Sequence, residues 1–187
     1  MSSCGEPSGD LYAGALAAEI LRADPAASIS GFGGDRLQQA GASLVGHFSG
    51  ISVTGLLEVA RVLPQTYAMY RRLVRHAAEW RPDVFVAIDF PDFNFRLARS
   101  IRRLGIPVIY YISPQLWAWR PGRMRTMREI ADRVLVIFEF EKAIYERANV
   151  PVDWVGHPLL DVMPPSEPRG TFVRSVGLAP ERPVVAL

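Results

Sequence analysis

The chain has one cysteine, Cys4, one lysine, Lys142, and three histidines, His47, His76 and His157, in 187 residues. A single cysteine excludes an internal disulfide and suits a reducing compartment. The histidines stand far apart in sequence, so no cysteine–histidine spacing of a metal site is present, and neither a metal nor a cofactor is expected. No apolar run approaches the roughly 18 residues of a membrane-spanning helix, and no signal peptide is expected. The net charge of +2 lacks the basic excess of a nucleic-acid binder. Internal repeats and low-complexity stretches are also missing. The scarcity of lysine leaves arginine as the basic residue, and its planar fork suits oxyanions.

What is present is ordinary globular composition, 49% hydrophobic and 21% charged, at a length of one domain or one and a fragment. The organising stretch is Asp83 to Asn94. Val84 to Ile88 is a continuous apolar run, the mark of an inner strand of a parallel sheet covered on both faces. It breaks into Asp89, Pro91, Asp92 and Asn94 at the strand's carboxyl end, where α/β sheets bind ligands. Asp89 is therefore a candidate functional carboxylate. Asp92 has two readings, a functional carboxylate or the cap of a helix starting near Phe93.

Upstream, Gly5 to Asp10 resembles a strand-to-helix turn of the kind that holds an anion or sugar hydroxyls on backbone N–H groups. Ser2 to Cys4 is either the stub of its strand or a sign that the strand is missing. A helix follows, with Leu11, Ala15, Leu16 and Ile20 on its apolar face. Residues 27–32 and 43–48 read as short strands, and Gly31 to Gly34 allows a close backbone approach or, the expected reading, a tight turn. Residues 50–80 read as an apolar helix interrupted at Pro64, then an arginine-bearing amphipathic one. Two readings stay open there, an interfacial membrane element or two ordinary core helices.

Downstream, a helix over 93–104 presents Arg96, Arg99 and Arg103 as a solvated row, and Gly105 stops it. A strand over 107–112 ends in Ser113 to Arg120, with Trp117 and Trp119. The tryptophans pack on a sugar or plug the sheet end, and Arg120 or Arg123 suits a phosphate. A strand over 133–138, a helix over 139–148 and a strand over 152–155 follow. His157 after the last is a ligand contact or a turn residue. Residues 163–169 read as a proline-rich connector, then a short helix and a new strand at 183–187. The β-α alternation predicts a Rossmann-like, doubly wound parallel α/β sheet. Residues 1–162 form the first domain, and 163–187 the linker and start of a second.

In order along the chain, GEPSGD at 5–10, TGLLEV at 54–59, PDVFVAIDFPDFN at 82–94, YYISPQLWAWR at 110–120, FEKAIYE at 140–146 and VGHPLLD at 155–161 resemble the lipid-A-disaccharide synthases. The pair IDFPDFN and SPQLWAWR is the most specific part. The resemblance implies the N-terminal half of a GT-B glycosyltransferase, two Rossmann-like domains across a cleft. It implies transfer from UDP-2,3-diacylglucosamine to 2,3-diacylglucosamine 1-phosphate in lipid A and lipopolysaccharide synthesis, without a metal. It also implies a cytoplasmic protein held peripherally on the inner face of a Gram-negative inner membrane.

On this resemblance Asp89 is the base. Asp92 and Asn94 position it or the sugar, Glu6, Ser8, Gly9 and Asp10 shape the cleft wall against the substrate, and Ser113, Trp117, Trp119, Arg120 and His157 are substrate contacts. Val53, Leu56, Leu57, Val62, Leu63, Arg71 and Arg72 face the membrane. The chain ends before the family's nucleotide-sugar site, so it is expected not to turn over alone. Two alternatives stand beside this reading: half of another GT-B UDP-sugar enzyme, and a non-catalytic lipid- or nucleotide-binding module.

Overall fold

The apolar run forms β4 (Phe85–Ile88), and successive side chains serve opposite faces of the sheet. Phe85 and Ala87 join a cluster with Leu73, Leu97, Ile101 and Met127, whereas Ile88 joins a second with Cys4, Ala13, Ala17 and Leu37. The computed structural model describes residues 1–50, 56–116, 122–163, 165–179, 181, 183 and 184, with backbone alone at 50 and 56–62.

Beside β4 lie β1 (Ser2–Ser3), β2 (Ser30–Gly33), β3 (Ser43–His47), β5 (Val108–Tyr111), β6 (Arg133–Val136) and β7 (Val152–Trp154). All pair in parallel, in the order β3-β2-β1-β4-β5-β6-β7. The chain winds outward from β1 to β3, returns to β4 beside β1, and winds the other way. That reversal opens a crevice at the carboxyl ends of β1 and β4. The doubly wound, Rossmann-like sheet expected from the alternation is therefore the fold.

Helices α1 (Pro7–Ala23) and α2 (Asp35–Gln39) cover one face. Helices α3 (Leu56–Trp80), α4 (Pro91–Arg103), α5 (Arg123–Ile130) and α6 (Glu139–Arg147) cover the other. Two short helices, α7 (Leu159–Val162) and α8 (Arg169–Ser175), follow. No helix among the described residues is long and apolar enough to cross a membrane.

Of the two readings of Ser2 to Cys4, the strand stub holds: Ser2 and Ser3 form an inner strand beside β4, pairing with Gly31 and Phe32 on one side and Val86 and Ala87 on the other. Three local expectations are corrected. Gly31 lies inside β2 rather than in a turn, because a Cβ there would sit 1.9 Å from the Ser2 carbonyl oxygen. Residues 56–80 form one helix with Pro64 inside it, not two. An interior proline costs about 3 kcal/mol. The turns beyond it are anchored by buried Leu73 and Ala77 and by a 2.6 Å hydrogen bond between Tyr70 and Ser100, so the helix persists. Finally, Asp92 does not cap α4: the helix starts at Pro91, with Phe90 at the cap position and Asp92 in the first turn. Pro183 and Val184 have no regular structure, and 185–187 lie outside the described residues.

Candidate functional site

The turn after β4 is built from an unusual backbone. Asp89 and Phe90 are consecutive non-glycine residues in the left-handed region, at φ 45° and 48°. Such conformations cost of the order of 1–3 kcal/mol each and persist where surroundings enforce them. Here the enforcement is visible. The Asp89 carbonyl accepts hydrogen bonds from the Tyr110 hydroxyl and from Asn94 Nδ2, both at 2.9 Å. Asn94 Nδ2 also reaches the Ile88 carbonyl at 3.2 Å and the Ser3 carbonyl at 3.1 Å, while its Oδ1 accepts from Ser3 Oγ at 2.7 Å. The Phe90 ring lies against Gly5, where a Cβ would come within 2.3 Å of it. That close approach brings the loop after β1 onto the loop after β4.

The result is a half-buried Asp89 carboxyl at the crevice. Burial raises its pKa above the usual aspartate value, and the charge of Glu6 raises it further, against a smaller opposing pull from the Phe90 N–H. Glu6 and Ser8 are exposed at the start of α1, which has Pro7 in its first turn. Gly9 is buried, and a Cβ there would sit 3.2 Å from the Cys4 Cβ. Asp10 is buried too, and its carboxylate accepts from the N–H groups of Gly34 at 2.7 Å, Arg36 at 2.9 Å and Leu37 at 3.2 Å. It caps α2 from α1, its neighbour on the same face of the sheet. Cys4, fully enclosed beside it, has its thiol pushed up to about 12 by burial and then by the Asp10 charge, so it is no nucleophile.

Asp89 lines a cleft of 340 Å³ with Ser113, Pro114, Gln115, Phe138 and Glu141. The loops after β4, β5 and β6 thus converge on one space. Ser113 is buried and hydrogen-bonded to the Tyr145 hydroxyl, which also donates to the Pro114 carbonyl at 3.3 Å. Burial pushes the Tyr145 phenol to about 12. Glu141, 2% exposed, accepts from the Phe138 N–H at 3.3 Å and so ties the β6 loop to α6. A larger cavity, 520 Å³, lies at the other end of the sheet against Met1, Ile20, Ile29, Trp80 and Val84. It opens at the amino ends of β1 and β4, away from the crevice.

The remaining predicted residues scatter. Exposed Asp92 pairs with Arg123 at 2.5 Å, and the guanidinium lies 5.6 Å from the Phe95 ring centre. His157 packs edge-on against Tyr12 and Phe138 and accepts from the Leu159 N–H through Nδ1 at 3.2 Å. Asn94 is fully enclosed, its amide held by main chain and Ser3. Leu63 is 58% exposed, and Arg71 and Arg72 are exposed on α3. Trp117, Trp119, Arg120 and Val53 lie outside the described residues, as do the side chains of Leu56, Leu57 and Val62. Among the described residues no group of three histidine, cysteine, aspartate or glutamate side chains is placed to hold a metal ion.

Gly5 was legible as part of the turn at 5–10, whereas Tyr110 and Glu141 were not singled out by sequence. Of these two only Glu141 had a local signal, the third residue of a helix, where a carboxylate reaches back to a free N–H.

The family model described as lipid-A-disaccharide synthetase matches residues 1–187. Relatives named lipid-A-disaccharide synthase include those of Geobacter metallireducens and Geobacter sulfurreducens. Each is 44% identical over 187 residues, covering 100% of this chain and 49% of the relative. The Coxiella burnetii (strain Dugway 5J108-111) protein of the same name is 39% identical over 183 residues, covering 98% of this chain and 49% of its own length. The chain thus spans about half the length of the curated relatives it matches. With a family model matched from end to end on a doubly wound parallel sheet, the chain belongs to the lipid-A-disaccharide synthetase family.

Proposed function

We propose that this chain is the acceptor-side half of a glycosyltransferase that joins UDP-2,3-diacylglucosamine to 2,3-diacylglucosamine 1-phosphate. The products are the β-1,6-linked lipid A disaccharide and UDP. The observation that carries this is Asp89, a carboxyl of raised pKa in the cleft beside the sheet's switch point, within a chain of this family. In the reaction Asp89 takes the proton of the acceptor's 6-hydroxyl. That oxygen attacks the donor's anomeric carbon, the bond to the diphosphate breaks, and UDP leaves with the electron pair as the carbon inverts. A base whose pKa is raised toward the working pH takes a proton more readily than an ordinary aspartate.

Ser113, Gln115 and Glu141 line the same cleft and are proposed to meet the acceptor sugar, and Trp117, Trp119 and Arg120, which lie outside the described residues, are proposed as acceptor contacts by their place in the sequence motif. The nucleotide-sugar site is assigned to sequence that the relatives carry beyond the half they share with this chain, so residues 1–187 alone do not turn over. The acceptor is a lipid, and α3, α4 and α5 offer a surface suited to an anionic bilayer. These three helices carry eleven arginines against four carboxylates, in a chain of 21 basic and 19 acidic residues. Juxtamembrane basic side chains gain about 1 kcal/mol each at an anionic surface. Leu63 and Tyr67, 58% and 61% exposed, add apolar contact.

The test is a titration of this chain with the acceptor lipid in detergent, read by tryptophan fluorescence, with UDP in parallel. Saturable binding of the lipid and no response to UDP is expected. Binding of UDP without the lipid, or UDP release from donor and acceptor by residues 1–187 alone, overturns the assignment.

A further inference from the structure

We propose that Tyr110, together with Asn94, is a positioning residue for Asp89, acting through the Asp89 carbonyl rather than on a substrate. The inference rests on the reading of Asp89 as the base and adds what holds that base in place. Two donors from different elements, the phenol of β5 and the carboxamide of α4, meet one carbonyl oxygen at the same 2.9 Å. Neither donor is needed by the strand ladder, since β4 and β5 pair through their own backbones. Neither has a route to a ligand, because both side chains are fully enclosed.

Their common acceptor belongs to the first of the two left-handed residues. In an unconstrained turn Asp89 would relax to negative φ, rotating its side chain away from the cleft. Two hydrogen bonds on the carbonyl oppose that rotation and leave the carboxylate free. The Asn94 amide cannot turn over to release the carbonyl, because Ser3 Oγ donates to its Oδ1 at 2.7 Å. Tyr110 is held in turn by the Phe95 ring, 5.6 Å away between centroids. Serine, tyrosine and asparagine from β1, β5 and α4 thus form a buried clamp under the base.

The test uses the full-length protein that contains this chain and compares Tyr110→Phe, Asn94→Asp and Asp89→Asn. Tyr110→Phe keeps the ring and its packing and removes one donor. Misplacing a reacting group by about 1 Å costs up to roughly a hundredfold in rate. We expect kcat to fall about ten- to a hundredfold with KM within about threefold. The acid limb of the pH–rate profile should move to lower pH, as the loosened carboxyl gains water. Asn94→Asp, nearly isosteric, replaces the second donor with an acceptor and should give the same pattern. If either folded variant keeps wild-type kcat and pH profile and loses only melting temperature, the clamp is structural and the inference fails. Inactivity of Asp89→Asn with unaffected Tyr110→Phe overturns the inference alone, whereas full activity of Asp89→Asn overturns the base as well.

Discussion

Asp10 stands in a motif that looks like chemistry, and the structure makes it an architectural residue whose removal should be costly. Its carboxylate is 3% exposed and takes three backbone N–H groups, those of Gly34, Arg36 and Leu37. These are the cap position and first turn of α2, donors that no carbonyl of a five-residue helix can satisfy. Hydrogen bonds to a charged acceptor contribute about 1.5–3 kcal/mol each, and three that share one group do not add fully. Asp10→Ala should therefore destabilise by about 3–5 kcal/mol, a large part of the 5–15 kcal/mol typical of a domain. Asp10→Asn keeps one acceptor oxygen and turns an amide N–H toward the remaining donor, for a loss of about 1.5–3 kcal/mol. In urea, with a slope of about 2 kcal/mol/M, the alanine variant's midpoint should fall by roughly 2 M. Circular dichroism of residues 1–187 across a urea series measures this directly. A midpoint within about 0.5 M of the parent, at unchanged slope, would refute the reasoning. It would mean that the three N–H groups find water as readily as they find Asp10.

Gly5→Ala should lower turnover of the full-length protein and destabilise it by about 1–3 kcal/mol, since its Cβ meets the Phe90 ring at 2.3 Å. Phe90→Leu in the same chain should restore part of the stability in thermal melts, and no restoration would point to a backbone cause instead. Asp89→Asn should stabilise the fold while abolishing turnover. The folded pKa of Asp89 is raised, so its contribution is fully present below the unfolded value near 3.8 and is lost as pH rises through the folded value. The asparagine variant should therefore melt higher than the parent at neutral pH, by a margin that closes as pH falls toward 3.8. A margin constant with pH would remove titration of Asp89 as its origin.

The fold was legible wherever a strand's own residues declare it. Val84 to Ile88, Val108 to Tyr111 and Val134 to Val136 are apolar runs because both sheet faces are covered, and their order in the chain specified a doubly wound sheet. It was least legible where a neighbour, not the segment, makes the element. Ser2 and Ser3 are a strand only because β2 and β4 offer free backbone groups on both sides. Pro64 broke the pattern without breaking the helix, because packing of Leu73 and Ala77 outweighs one missing hydrogen bond.

The site divides along the same line. Asp89 could be picked out because a buried strand that ends abruptly in a carboxylate puts it in a ligand crevice whatever the rest of the molecule does. Which residues touch it could not. Glu6 and Tyr110 reach it across long stretches of chain, through a sheet order that only the winding decides. The motif residues Asp10 and Asn94 look as functional as Asp89 when read as letters. Burial separates them: Asp89 keeps a carboxylate open to the cleft, while the other two direct every polar atom at the protein's own main chain or at Ser3. A polar residue in a loop motif is thus placed either to meet a substrate or to hold the loop that does. The deciding quantity is how many of its hydrogen bonds the fold has already claimed.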